Sequence, residues 1–332
     1  MGPAWRIGTE HLEQARGVVR RYATQTPLVA ATAIDPRVWL KLECHQHTGS
    51  FKVRGALTRL SVLTDEERGQ GVVAASAGNH GLGVAYAARK LGVRAKVFVP
   101  PGTPAVKVEG IGALGAEVVV GDTPGYDAAE EAARREARAR GCVFISPYDD
   151  PWVAAGNGGT VGLEIFESIG SPDAVVCPVG GGGLICGLAA ARDAGGRDVD
   201  LVGVNTEASP GMFRSFEKGE AVETLPPAPT LAEGLEGGVR PTTFLLAREA
   251  RVRMELVAED EIAAAMRWAR DVLGTPVEGS AAAAIAWVRR CVARLPGDAP
   301  IVVVVSGGNV DPARLGGLGC RPPPSALRRR SG

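Results

Sequence analysis

Apolar residues in this chain recur in two patterns that alternate along most of its length. Short runs rich in Val, Ile and Ala have the length and β-branched content of buried strands. Between them, Ala-rich stretches place apolar residues at helical spacing. Residues 72–75 predict a strand and 81–91 a helix, then 95–99 a strand and a helix ending near 114. Next come a strand at 117–120, a charged helix over 128–140 and a strand over 142–146. A second series follows Trp152: a helix over 160–169, a strand over 174–179, a glycine run opening another helix, and a strand over 201–205. Pro and Gly make 225–242 an irregular connection. Helices over 259–273 and 281–294 then precede a last strand at 301–305. Such alternation predicts an α/β fold of two domains, each an open, mostly parallel sheet flanked by helices. Ligands of such folds sit where loops leave the carboxyl ends of strands, so those loops should carry the chemistry.

Composition narrows the partners. Lys and Arg number 37, as do Asp and Glu, so the formal charge is zero and nothing draws the chain toward nucleic acid or an anionic membrane. The one basic run, Arg328-Arg329-Arg330, lies in a Pro-rich tail and reads as a solvated end. No apolar run is long enough to cross a bilayer and the N-terminus lacks a signal-peptide h-region, so a cytoplasmic protein is expected. Cys44, Cys142, Cys177, Cys186, Cys291 and Cys320 form no C-x-x-C pair and read as buried free thiols.

Four segments at strand ends have chemistry of their own. Gly180, Gly181, Gly182 and Gly183 follow an apolar strand and open a helix at Leu184. Glycines there let several N–H groups point at one anion, and the helix dipole adds to the attraction, which makes a phosphate site. A purely structural turn is the plain alternative. The spacing is neither G-x-G-x-x-G nor a Walker loop. Ser76-Ala77-Gly78-Asn79-His80-Gly81 joins another strand to a helix and offers hydroxyl, amide and backbone donors to a carboxylate, or simply a cap and turn. Ser306-Gly307-Gly308-Asn309 ends the last strand, where a hydroxyl could meet a ring nitrogen or cap a turn. Lys52 stands between Phe51 and Val53 in a chain poor in lysine. Apolar neighbours favour a depressed pKa and imine chemistry; a snorkelling surface lysine is the alternative.

TGSFKVRGA (48–56), SAGNHG (76–81), GGGGL (180–184) and SGGNVD (306–311) together resemble the serine/threonine dehydratase and serine racemase family of fold type II pyridoxal-phosphate enzymes. The segments occur in family order, and the resemblance spans nearly the whole chain. It implies a tryptophan-synthase-β-like fold with a large cofactor-binding domain (1–56 and 153–332) and a small substrate-loop domain (57–152). It also implies that Lys52 forms the Schiff base with pyridoxal 5′-phosphate, with Phe51 beside it. By the same resemblance, Asn79 meets the ring hydroxyl and the Gly180 to Gly183 loop, with the Leu184 amide, holds the phosphate. Ser306 meets the pyridine nitrogen, and Glu278 is the acidic residue near the cofactor. Ser76, Ala77, Asn79 and His80 belong to the loop that binds the carboxylate of a small amino-acid substrate. A homodimer is implied as well.

The reaction implied is removal of the β-hydroxyl of threonine, serine or a related amino acid, giving a 2-oxo acid and ammonia. Serine racemases of eukaryotic type carry a serine where this chain has Ala77, and racemisation needs a proton donor on that face. Ala77 therefore favours elimination. Relatives that hold a mono- or divalent cation use a glutamate where Glu207 stands, but Gly211-Met212-Phe213 replaces a stretch that supplies some of them with an Asp ligand; Glu207 and carbonyl oxygens remain to bind the ion. Only a short tail follows Ser306, so an isoleucine-sensing domain is not expected. β-Replacement chemistry is the nearest alternative, and a ligand-binding protein that kept the scaffold is a more distant one. A nicotinamide dehydrogenase lacks its fingerprint here.

Overall fold

Ten strands form two sheets among the described residues of the computed structural model, 2–123, 125–295 and 297–311. Cys320 and Arg328 to Arg330 lie outside them. The strands are β1 (Leu28–Ala30), β2 (Val38–Leu42), β3 (Val72–Ala75), β4 (Ala95–Val99), β5 (Glu117–Val120), β6 (Val143–Phe144), β7 (Ala174–Pro178), β8 (Asp200–Thr206), β9 (Arg253–Val257) and β10 (Ile301–Val305). The first sheet runs β1-β2-β10-β7-β8-β9, parallel throughout except for the β1–β2 hairpin. The second runs β5-β4-β3-β6 and is parallel throughout.

Burial on both faces explains why central strands read as continuous apolar runs. Every residue of β3, β7 and β10 is buried. Helices Glu259–Trp268 and Gly279–Cys291 cover one face of the six-stranded sheet. Helices Thr160–Ile169, Gly183–Ala194 and Pro241–Glu249 cover the other. The four-stranded sheet packs helices Lys52–Ser61 and Asn79–Leu91 on one face and Tyr126–Arg140 on the other.

Several boundaries differ from the sequence expectation for physical reasons. The helix expected from 81 begins at Asn79, because Gly78 adopts a non-helical cap conformation and the turn closes through Leu82 N–H to the Gly78 carbonyl. β6 is shorter than 142–146, since the Cys142 amide caps the preceding helix on the Ala137 carbonyl. Helical backbone precedes Thr160 through a π-turn at 155–159, and the helix from Glu259 ends in another at 269–273. Of the cysteines, Cys177 and Cys186 are buried free thiols, whereas Cys44, Cys142 and Cys291 are free but half-buried. No helix among the described residues is long and apolar enough to cross a membrane.

Candidate active site

Three consecutive residues explain where Lys52 lies. Phe51 belongs to the core of the six-stranded sheet and Val53 to the core of the four-stranded sheet, so Lys52 emerges at the seam between them. The Phe51 amide donates to the Ser306 carbonyl at 3.1 Å, which ties the start of the lysine helix to the end of β10. Lys52 is half-buried, its Nζ 5.2 Å from the Phe51 ring centroid and donating to the Pro147 carbonyl at 2.9 Å. Burial pushes its pKa down to about 8, against the opposing pull of Glu278. A surface lysine would feel no such push.

Glu278 closes the other side. Asn79 Nδ2 donates to both of its carboxyl oxygens at 2.9 Å, and the Glu278 amide donates to the Gly307 carbonyl at 3.2 Å. Gly307 leaves room for the Glu278 carboxyl, which a Cβ there would push aside. Burial raises Glu278 to about 7, opposed by the Asn79 bonds and the Lys52 charge. Asn309 completes the row: its Nδ2 donates at 2.7 Å to Asn79 Oδ1 and to the Thr48 carbonyl. The Asn79 amide is thus engaged at both ends.

The glycine loop stands beside the lysine. Val179 N–H makes the last ladder bond, to the Val204 carbonyl, and Cys186 N–H makes the first helical bond, to the Gly182 carbonyl. Amides 180 to 185 between them donate to no protein acceptor among the described residues, as expected for the open end of a helix. Gly182 has φ +96°, a conformation that favours glycine. A Cβ on Gly181 would collide with the Tyr148 ring, and one on Gly183 would come within 2.9 Å of Tyr148 Cα. Tyr148 follows the very Pro147 that accepts from Lys52, so one short segment touches both lysine and glycine loop. Burial raises its phenol to about 12, against the opposing charge of nearby Arg240.

The remaining predicted residues divide. Leu184 is buried under the glycine loop and Ser306 is buried at the end of β10. The Ser76 hydroxyl accepts from the Gly78 amide at 3.1 Å, inside its own turn, and Ala77 packs partly against the four-stranded-sheet core. His80 is buried, with Nε2 2.9 Å from the Ile145 carbonyl. Glu207 lies apart, exposed on the turn after β8. No group of three or more His, Cys, Asp or Glu residues able to hold a metal is found among the described residues. Sequence reasoning missed Tyr148, which only its adjacency to Pro147 could have signalled, and gave no role to Asn309, although it lies in the segment Ser306-Gly307-Gly308-Asn309.

Residues 19–307 match the family model described as "Pyridoxal-phosphate dependent enzyme". The L-threonine ammonia-lyase of Thermotoga maritima is 40% identical over 311 residues, covering 92% of this chain and 76% of that protein. The catabolic L-threonine dehydratase TdcB of Escherichia coli is 41% identical over 288 residues, 84% of each chain. Among solved structures, maize serine racemase has a TM-score of 0.88 at 30% identity, covering 94% of this chain and 97% of that one. The processed form of threonine deaminase isoform 2 from Solanum lycopersicum has a TM-score of 0.86 at 32% identity, covering 96% of this chain and 90% of that one.

Proposed function

Because this chain belongs to the pyridoxal-phosphate-dependent enzyme family, we propose that it is an ammonia-lyase acting on L-threonine, L-serine or a related β-hydroxy amino acid. The products are a 2-oxo acid and ammonia. The observation that carries the reading is the Lys52 amine, set at the seam of two sheets with its pKa down to about 8. Near neutral pH a useful fraction of that amine is free to act as a nucleophile or base.

The residues fit the cofactor. Amides 180 to 185 have no protein acceptor among the described residues and open a helix, which suits a phosphate. Thr48 Oγ1 and Ser50 Oγ, in the lysine's own loop, are buried without a partner. When bound, the cofactor supplies the electron sink that makes the substrate Cα–H acidic. Lys52 would hold it through Nζ and, once displaced by the substrate amine, accept the Cα proton. Phe51 would pack beside it, and Ser306 would meet the pyridine nitrogen. Asn79 and Glu278 would face the ring, while Ser76, the loop amides and the N-terminus of helix Asn79–Leu91 would orient the carboxylate. The Ala77 methyl has no transferable proton, so a reaction face lined by it would be set up for elimination and not racemisation.

A large unit (1–56 and 153–332) with a small one (57–152), a homodimer and a cytoplasmic location are part of the proposal. The first is supported by the grouping of β3 to β6 in one sheet, the homodimer by family resemblance, and the location only by the sequence expectation. A cation held by Glu207 and carbonyl oxygens rests on the resemblance alone.

The test is a visible spectrum of the purified protein, then addition of L-threonine and L-serine while 2-oxo acid and D-serine are followed. A yellow protein releasing 2-oxobutanoate or pyruvate is expected, with D-serine below a tenth of the pyruvate. Lys52→Ala should lose both colour and product. A colourless protein that cannot be loaded would overturn the reading, and comparable D-serine would overturn the role given to Ala77.

A further inference from the structure

His80 is a buried titratable group for which the proposed reaction has no evident use. Its ring is 3% exposed and Nε2 lies 2.9 Å from the Ile145 carbonyl. A carbonyl only accepts, so Nε2 carries the proton and Nδ1 is a bare acceptor. Nδ1 is sealed from solvent and has no hydrogen-bond partner. A carboxylate, itself an acceptor, would be repelled by it. A donor to Nδ1 is best sought among the side chains that neighbour the ring and can move.

Two observations point to the donor. The segment after β6 receives His80 Nε2 on the Ile145 carbonyl and Lys52 Nζ on the Pro147 carbonyl, two residues apart. Helix Asn79–Leu91 also lies directly on the start of the lysine helix, since a Cβ on Gly83, one turn after His80, would stand 3.1 Å from the Lys52 carbonyl. The imidazole is therefore a neighbour of the one side chain in the site that has to travel. Burial first, and the Lys52 charge second, push His80 down to about 3, with the Ile145 bond opposing. It stays neutral, and so remains an acceptor, throughout the working pH range.

We propose that His80 Nδ1, together with the Pro147 carbonyl, is the docking point for the Lys52 amine after the substrate has displaced it. His80 is thereby a positioning residue that holds the amine while it carries the Cα proton. The proton passes from Cα to the free electron pair of Nζ, and the resulting ammonium is shared between one carbonyl and one imidazole nitrogen. This inference rests on the proposed function for its role in turnover; in the structure Nζ donates to Pro147 and Nδ1 has no partner, so the amine has to move to reach the imidazole.

Two substitutions separate this role from a structural one. His80→Gln sets an amide nitrogen where Nε2 was, keeping the donor to Ile145 and deleting Nδ1. His80→Asn sets an oxygen where Nδ1 was, keeping the acceptor and deleting the tether. For His80→Gln we expect an unchanged melting temperature, kcat down at least about tenfold and KM little altered. In cofactor-free full-length protein, Lys52 of this variant should titrate lower than in wild type by about half a pH unit, because an acceptor favours the ammonium. His80→Asn should lose stability but keep the wild-type lysine titration. A wild-type titration in His80→Gln, or the same shift in both variants, would overturn the assignment.

Should either variant fail to fold, ¹⁵N-histidine NMR of the wild-type protein decides, since only four histidines need assignment. The His80 Nδ1 resonance should follow the Lys52 titration near pH 8 and move further when glycine, which lacks a leaving group, is added to the holoenzyme. A resonance indifferent to both would overturn the proposal. A protein that never takes up cofactor sinks the functional reading but leaves the lysine titration readable.

Discussion

Glu278 and Lys52 illustrate what burial does to two opposite charges placed at one seam. Burial raises the acid to about 7 and lowers the base to about 8, while each opposes the other's shift. For Glu278 the folded state keeps a proton that the unfolded chain releases near 4.5. The associated stability is present below 4.5 and is lost as pH rises through about 7. For Lys52 the folded state releases its proton near 8, while the unfolded chain keeps it to 10.5, so stability increases across that window. Cofactor-free protein should therefore be least stable, as far as these two groups decide, between about 7 and 8. Glu278→Gln should flatten the fall between pH 4.5 and 7, a difference of roughly 1–3 kcal/mol across the window. Melting curves at stepped pH measure it, and parallel curves for variant and wild type would refute it. The same variant should bring the Lys52 titration below about 8, because the charge that favours the ammonium is gone.

At the scale of elements, the helix Lys52–Ser61 is held by charge as much as by apolar packing. Arg54 is fully buried; its Nε and Nη2 meet Glu43 at 2.7 and 2.8 Å, and its Nη1 and Nη2 meet Glu164 at 2.7 and 2.9 Å. Lys41 Nζ completes the cluster on Glu164 at 2.5 Å and on the Thr26 carbonyl at 2.7 Å. Two cations and two carboxylates cancel, and they fasten the first turn of the lysine helix to β2 and to helix Thr160–Ile169. Arg54→Met would leave the buried Glu43 without a counter-charge and Glu164 with Lys41 alone, and we expect a loss of about 3–5 kcal/mol in urea unfolding. Adding Glu43→Gln should recover part of it. A loss under about 1 kcal/mol would show that the cluster does not fasten the helix.

This cluster also marks where the sequence stops being readable. The runs at 72–75, 95–99 and 301–305 announce strands because small and β-branched residues buried on both faces leave no other pattern, whereas 117–120, at the edge of its sheet and not buried, is announced by its three consecutive valines. β2 escapes notice because Lys41 is buried among its apolar residues, and a charge in a short run reads as surface. Residues 155–159 lie outside the helix expected over 160–169 because three of the five are glycines, which read as poor helix formers. Their glycines make a helical crossing, in which a Cβ on Gly158 would strike the Leu184 carbonyl and one on Gly156 would strike Thr58. The four loop motifs could be read and do converge, but Tyr148 joins them, and Asn309 of the last motif reaches Asn79 and Thr48, through contacts distant in sequence. No local pattern encodes such contacts.

Across the whole molecule, the two sheets meet at few polar points, and these decide how firmly the cleft is held. Asn79 reaches Glu278 in the centre; Lys107 reaches Glu233 at 3.1 Å on one side and Arg240 reaches Glu130 at 3.3 Å on the other. The last two are unequal. Lys107 and Glu233 are both more than a third exposed, so water screens them and their bond adds little. Glu130 is only 8% exposed, and Arg240 also meets Glu223 at 3.2 Å and lies close enough to Tyr148, beside the glycine loop, for its charge to favour the phenolate. Arg240 therefore links helix Tyr126–Arg140 to the floor of the site, and its removal should loosen that helix without weakening β10. Arg240→Ala leaves Glu130 with Arg134 at 2.7 Å as its partner, which limits the cost to about 1 kcal/mol. Amide hydrogen exchange should then quicken about fivefold in residues 126–140 and stay unchanged in 301–305, because only sub-global opening is affected. Lys107→Ala should change neither segment. Equal acceleration in both segments of Arg240→Ala would mean that the contact supports the whole fold and has no special hold on the cleft.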